Sequence, residues 1–192
     1  MSVDALDRPF DHKRGENAVT EKIIPTPEEL RNMLRYEPET GKLFWKVRPN
    51  LPGWWNSRFS GCEALTAKNE KGYLQGHIDG CLYRAHRVIW AIVYGYWPKD
   101  EIDHKNTKKS DNRLCNIRLA TSSQNQSNKG LQSNNTSGAK GVSYIKETGK
   151  WRARIRCHGN LINLGSFSEK DEAVLAYANA AEKLHGKFAR SV

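Results

Sequence analysis

The sequence predicts an α+β protein assembled from small strand-and-helix units. Three observations point there. A hairpin signal at Asp79-Gly80 opens onto an amphipathic stretch that stops at Gly95, residues 101–129 read as strand, loop, strand and helix, and residues 142–185 hold three strand-like stretches followed by one long helical stripe. The chain has 192 residues, of which 38% are hydrophobic and 27% charged. That supplies small cores and argues against one large α/β enzyme body.

Taken in order, residues 1–24 are polar and without periodicity and read as a flexible arm. A small unit is expected over 25–79. Thr26-Pro27-Glu28-Glu29 combines an N-cap threonine, proline at the first helical position and glutamate at the third, the pattern of a capping box. Leu30, Met33 and Leu34 give that helix its apolar face. Thr40-Gly41 then turns the chain into a strand over 42–47. Residues 48–72 read as irregular, with Trp54 and Trp55 packing over the small unit. The strings ETGKLFWKVR (39–48) and ETGKWRARIR (147–156) look like two hairpins with one turn solution.

The next unit is expected over 80–128. Strands over 73–78 and 81–84 flank the Asp79-Gly80 turn, and a helix over 84–94 ends at Gly95. Short strands follow at 101–104 and 116–119, and Thr121-Ser122-Ser123-Gln124 repeats the capping box and starts a helix. Residues 129–137 are rich in Ser, Asn and Gly and read as a flexible linker. The last unit, 138–190, reads as strands over 142–145, 150–156 and 161–167. Ser168 and Asp171 cap a helix to about His185, with a stripe of Ala173, Val174, Tyr177, Ala180, Ala181 and Leu184.

Charge narrows the partner. Residues 1–79 hold 12 basic and 12 acidic side chains, residues 80–130 hold 9 and 4, and residues 138–192 hold 10 and 5. The surplus of +10 therefore sits in the second and third units, five charges in each. Phosphate neutralisation releases counterions, so a polyanion is the expected partner of both. No apolar run approaches the ~20 residues of a membrane span, and MSVDALDRPF lacks the order of a signal peptide, so the expected location is cytoplasmic. Cys62, Cys81, Cys115 and Cys157 form no C-x-x-C pair and read as buried free thiols.

The chemistry centres on Asp103-His104, at the end of a short strand before a polar loop. A carboxylate beside an imidazole suits metal-assisted hydrolysis, one group holding a hard cation and the other activating water. Asn116 follows His104 by 12 residues at the second strand, and Asn125 by 21 in the first turns of the capped helix. Two strands and a helix can bring Asp103, His104 and Asn125 to one point, with Asn116 bracing the loop.

These residues carry a resemblance. EIDHKNTKKSDNRLCNIRLATSSQNQSN (101–128), preceded by AHRVIWAIVYGYWPKD (85–100), resembles the HNH endonucleases of phage and mobile-intron origin, in which a ββα-metal fold cuts DNA with one divalent cation. The resemblance implies that His104 is the general base, that Asp103 and Asn125 are the metal ligands, and that Asn116 holds the active-site loop. Where other members have a third histidine this chain has Asn125, and two hard oxygen ligands favour magnesium or manganese over zinc. His86 also recurs in that family, but it reads here as a helix-surface histidine bonded to the core. Lys108, Lys109 and Arg113, in the loop beside the site, are candidate phosphate contacts.

In the last unit Arg152, Arg154 and Arg156 alternate with Trp151, Ala153 and Ile155, so three guanidinium groups share one strand face about 7 Å apart. Like charges so spaced suit a duplex groove better than solvent. GVSYIKETGKWRARIR, with LGSFSEKDEAVLAYANAAEKLHGKFAR, resembles an AP2 domain, a three-strand-plus-helix DNA reader. The resemblance implies Lys146, Lys150, Arg152, Arg154 and Arg156 as DNA contacts. The expected function is thus a metal-dependent, homing-type DNA endonuclease, monomeric, acting on double-stranded DNA in a bacterial or phage-infected cell, with no small-molecule substrate and no membrane. The alternative is a DNA-binding regulator with a decayed nuclease, and the complete set Asp103, His104, Asn116 and Asn125 weighs against decay.

Overall fold

The computed structural model describes residues 24–131 and 134–189; the expected arm and the last residues of the expected third unit lie outside them. Helix α1 (Pro27–Met33) starts on the capping box, with Thr26 accepting from the Glu29 amide at 3.2 Å and the Glu29 carboxylate accepting from the Thr26 amide at 2.7 Å. The helix ends one residue before Leu34, which opens β1 (Leu34–Glu37) instead of closing the helical stripe. β1 pairs antiparallel with β2 (Lys42–Trp45), and β2 with the two-residue β3 (Glu63–Ala64). The stretch read as irregular holds a helix, α2 (Gly53–Phe59), and β4 (Ala67–Lys68). Trp55 packs edge-on against Trp45 at 5.5 Å as expected, whereas Trp54 is exposed.

β4, β5 (Leu74–Ile78) and β6 (Cys81–Arg84) form a second small sheet. The β5–β6 turn places Asp79 at φ 47° and Gly80 at φ 79°, the two left-handed residues that a tight two-residue hairpin requires. Helix α3 (Ala85–Tyr94) follows and stops at left-handed Gly95. β7 (Glu101–His104) then pairs antiparallel with β8 (Ile117–Ala120), and α4 (Ser122–Ser127) begins on the second capping box, at Thr121.

One apolar cluster joins α1, β1, β2, β3, β5, α3, β7 and β8. Leu30 and Met33 of α1, Leu43 of β2, Ile78 of β5, Val88, Ile89 and Trp90 of α3, Ile102 of β7 and Ile117 of β8 belong to it. The division expected between residues 79 and 80 therefore runs through a single hairpin turn, and residues 25–79 help to build the core under β7 and β8.

The second cluster lies in a sheet of order β11 (Asn160–Phe167), β10 (Lys150–Cys157) and β9 (Val142–Ile145), covered by α5 (Lys170–His185) and a 3-10 turn, Gly186–Phe188. Val142, Ala153, Ile155, Ala173, Tyr177 and Ala181 fill it. The cap differs from expectation: Glu169 precedes α5 and makes no side-chain bond to it. Leu184 is exposed and lies outside the stripe. The four cysteines are free but none is buried; Cys62 and Cys115 are exposed.

The segment after α4 does not leave the last unit on a free tether. Lys140 donates to the carbonyls of Ser127 and Lys129 at the end of α4, the Ser127 hydroxyl lies 3.3 Å from Nδ1 of His185, and Arg118 of β8 donates to the Lys187 carbonyl. Two cationic side chains thus satisfy carbonyls of the opposite unit that the backbone leaves open.

The β1–β2 turn touches the loop that joins β7 to β8. Gly41, at φ 74°, sits so close that a Cβ there would lie 2.6 Å from the Arg113 amide nitrogen and 2.8 Å from the Asn112 carbonyl carbon. Gly41→Ala therefore combines a strained φ with a backbone clash and should lower stability by about 1–3 kcal/mol. Urea unfolding checks this; an unchanged midpoint would mean that the turn and loop are not held together.

Candidate active site

The β7–β8 ladder places Asp103 opposite Arg118 and His104 opposite Ile117. Asp103 and His104 are each 3% exposed, so their polar atoms need partners. Arg118 lies against one carboxylate oxygen, with Nε at 2.8 Å and Nη2 at 2.7 Å from Oδ2. Asn128, just past α4, donates Nδ2 to Oδ1 at 2.8 Å, to Oδ2 at 3.1 Å and to the His104 carbonyl at 2.9 Å. Oδ1 thus accepts a single bond and keeps a lone pair.

The imidazole of His104 meets Asn112, with Nε2 3.0 Å from Oδ1. With the amide oxygen as acceptor, Nε2 carries the proton and Nδ1 is left as the base. Asn112 is fully buried, and its own carbonyl accepts from the Tyr36 hydroxyl of β1 at 3.2 Å. Burial pushes His104 below its ordinary value of 6.5, against the opposing pull of the Asn112 bond and of Asp103 and Asp111. Burial thus favours the neutral ring, which can accept a proton.

Asn116 sits where a brace is needed. Its Oδ1 accepts from the Asn106 amide at 3.0 Å, its Nδ2 donates to the Asp111 carbonyl at 2.7 Å, and its carbonyl accepts from the Lys105 amide at 2.8 Å. It touches the loop, not the imidazole. Asn125, on α4, donates Nδ2 to Glu101 of β7, which leaves its carbonyl oxygen as a ligand atom.

Asp103, His104, His86 and Asn125 line one cleft of about 660 Å³, together with Tyr73, Arg84, Arg87, Glu101, Lys109 and Lys129. The donor types suit a hard cation: a carboxylate oxygen with a lone pair and an amide oxygen, on two residues that line the same cleft. Among the described residues no three His, Cys, Asp or Glu side chains cluster to hold a metal.

His86 departs from its sequence reading. It is 3% exposed, its ring stands 5.3 Å from that of His104 at 88°, and its Nδ1 has no hydrogen-bond partner. Burial and the neighbouring His104 bring its pKa down to about 3. Of the loop cations, Lys109 lines the cleft above Tyr73 at 5.1 Å, whereas Lys108 lies outside it. Arg113 is spent on Asp111, at 2.7 and 2.8 Å. Lys146, Lys150 and Arg156 are exposed on the distal sheet, with Arg152 and Arg154 half-buried beside them.

Sequence reasoning missed Asn112, Asn128, Arg118 and Glu101. Two of them had a legible signal. Asn128 follows Asn125 by three residues, one helical turn on, and Arg118 is fixed opposite Asp103 once the strands pair. Asn112 is a loop residue without periodicity.

Two strands, a bracing loop and a helix around a carboxylate–imidazole pair define a ββα nuclease architecture. Residues 83–127 match the HNH endonuclease family model. Protein 3.8 of Escherichia phage T7 is 35% identical over 108 residues, which span 56% of this chain and 88% of that protein. An HNH endonuclease, L560, of Acanthamoeba polyphaga mimivirus is 35% identical over 106 residues, 54% of each chain. The structure of the HNH homing endonuclease I-HmuI aligns with a TM-score of 0.35 and 20% identity, over 50% of this chain and 51% of that one. Residues 83–127 are thus an HNH endonuclease domain.

The buried histidine pair sets an acid sensitivity. His86 titrates near 6.5 when unfolded and near 3 when folded. The unfolded chain therefore binds the extra proton between these values, and stability falls as pH drops below 6.5 while gaining nothing above it. His86→Leu should flatten the fall between pH 7 and pH 5 by about 2 kcal/mol, as read by urea unfolding at both values. Equal losses in wild type and variant would place the titration elsewhere.

Proposed function

We propose that this protein is a divalent-cation-dependent, homing-type DNA endonuclease that hydrolyses phosphodiester bonds by nicking, with magnesium or manganese as the cation. Its C-terminal sheet acts as an AP2-like reader that positions it on duplex DNA. The observation that carries the reading is the neutral, buried His104, held by Asn112 beside Asp103 in a cleft that also contains Asn125.

The geometry supports a role for each residue. His104 is the general base: Nε2–H is anchored on Asn112, so Nδ1 accepts the proton of the attacking water. Asp103 through Oδ1 and Asn125 through its carbonyl oxygen would hold the cation, with Glu101 engaging the Asn125 amide nitrogen and leaving that oxygen without a protein partner of its own among the described residues. The cation supplies charge neutralisation at the scissile phosphate when bound. Asn116 acts at one remove, by holding loop 105–116. Lys109, Arg84 and Lys129 line the cleft as phosphate contacts. One such centre per chain supports nicking by a monomer.

For the reader, the pairing of β10 lends support. Ala153 and Ile155 point into the core, whereas Arg152 lies between Ser143 and Ser166 and Arg154 faces Asn163 across the ladder. Arg152 and Arg154, edged by small polar side chains, can approach a groove closely, while Leu161 stands beside Arg156. The Arg152 Nε is buried and without a partner, a donor left for a ligand to satisfy.

Nicking of supercoiled plasmid with magnesium or manganese tests the nuclease. His104→Ala should lose about 10²–10⁴-fold in rate, chelator should abolish cutting, and the wild-type rate should decline only below pH 6.5, since His104 titrates under that value. Binding without cutting by wild type and variant alike would leave the DNA-binding regulator with a decayed nuclease.

The reader has its own test. Arg154→Ala should weaken duplex binding and reduce the slope of log K against log salt by about 0.9 for one lost phosphate contact. An unchanged slope and affinity would remove Arg154 from the interface.

A further inference from the structure

Arg118 engages Asp103 from one side only. Its Nε and Nη2 both lie against Oδ2, at 2.8 and 2.7 Å, while its Nη1 donates to the Lys187 carbonyl at 2.6 Å. The guanidinium carbon stands 3.8 Å from the centroid of the Phe188 ring. A guanidinium is rigid and planar, so fixing one nitrogen and one face fixes the edge that remains. Left to itself, an arginine facing a carboxylate settles into a paired fork, with one N–H to each oxygen. The seat formed by Lys187 and Phe188 holds Arg118 away from that pairing, and Oδ1 receives the single bond from Asn128.

Phe188 adds an independent observation. It is 4% exposed, yet it belongs to neither of the two apolar clusters. Its described ring contacts are the cations Arg118 and Lys187. A phenyl ring buried outside both cores is placed to hold the guanidinium. Ser127 against His185, with Lys140 across the end of α4, keeps the turn at this spot.

We infer that the C-terminal turn Gly186–Phe188 is a positioning element of the nuclease site: by seating Arg118 through Phe188 and the Lys187 carbonyl, it keeps Oδ1 of Asp103 open to a divalent cation. This rests on the reading of Asp103 as a cation ligand. The last unit would then do more than bring the nuclease to DNA. Its final turn completes the cation site, and a nuclease unit cut away after α4 would carry an arginine free to close over both oxygens.

The test is Mn²⁺ binding to the full chain without DNA, followed by the electron paramagnetic resonance signal of the free ion. Phe188→Leu keeps apolar volume at the seat but removes the flat face, and Phe188→Ala removes both. Each should bind Mn²⁺ about tenfold more weakly than wild type, the scale of losing a group that orients a ligand. Arg118→Lys replaces the fork with a point donor that cannot span both oxygens, so in that background the seat has no fork to hold. Adding Phe188→Leu to Arg118→Lys should cost nothing further. The proposal is overturned if Phe188→Leu leaves Mn²⁺ affinity unchanged, or if it costs the same factor in the Arg118→Lys background. Asp103→Ala separates the two levels: Mn²⁺ binding equal to wild type in that variant removes Asp103 as a ligand, whatever Phe188 does.

Discussion

The structure turns on one buried carboxylate. Asp103 is closed off from water at 3% exposure, and an isolated ion there would cost several kcal/mol. Two partners make it tolerable, Arg118 from the facing strand and Asn128 from the end of α4. Neither is local in sequence, so β7, β8 and α4 come together wherever this group is satisfied. Such a pair adds little net stability, because desolvation offsets attraction. What it imposes is arrangement: a strand register shifted by one residue would leave both the carboxylate and the guanidinium without a partner.

The imidazole beside it depends on a different chain of contacts. His104 is set by Asn112, and Asn112 is set by its own burial, by the Tyr36 hydroxyl and by the turn at Gly41 packed on its backbone. The N-terminal hairpin has no member in the cleft nearer than these braces, yet it fixes the group that fixes the base. This accounts for why residues 25–79 share a core with the strands of the site instead of forming a unit of their own. On the proposed reading the base needs angular precision, and an asparagine whose backbone is held by Tyr36 and the Gly41 turn supplies it.

Much of this could be read from the sequence where local chemistry decides. Both capping boxes, the Asp79-Gly80 hairpin, the Gly95 stop and the alternation along 150–156 form as read, because a cap, a left-handed turn or a two-residue period needs only near neighbours. What stayed hidden is tertiary. Leu34 satisfies a helical stripe as well as a strand start, and pairing with Trp45 decides the matter. Nothing in residues 48–72 announces α2, whose N-cap is a proline without a side-chain bond. The composition of 129–137 suggests a tether, but Lys140 and His185 reach the end of α4 through contacts that no composition records. At the site the polar residues of the motif are legible, while the amides that orient them, Asn112 and Asn128, look like any loop asparagine.

The docking of the last unit changes what attachment can accomplish. A reader on a flexible tether raises the local concentration of a nuclease near its target but leaves open which bond is presented to it. Here Arg118 and His185 bind the closing turn and the last helix to β8 and α4, and Lys140 ties the start of the last unit to the end of α4; β8 pairs with β7, which carries Asp103, and α4 carries Asn125. A DNA contact made by the sheet is, on the proposed reading, referred to the cleft through α5 with its closing turn, α4 and β8, not through a loop. On the proposed reading, the spacing between the bound sequence and the bond that is cut is a property of these few contacts. Specificity for a cleavage position would come from rigid placement, and would need no base contact at the active site itself.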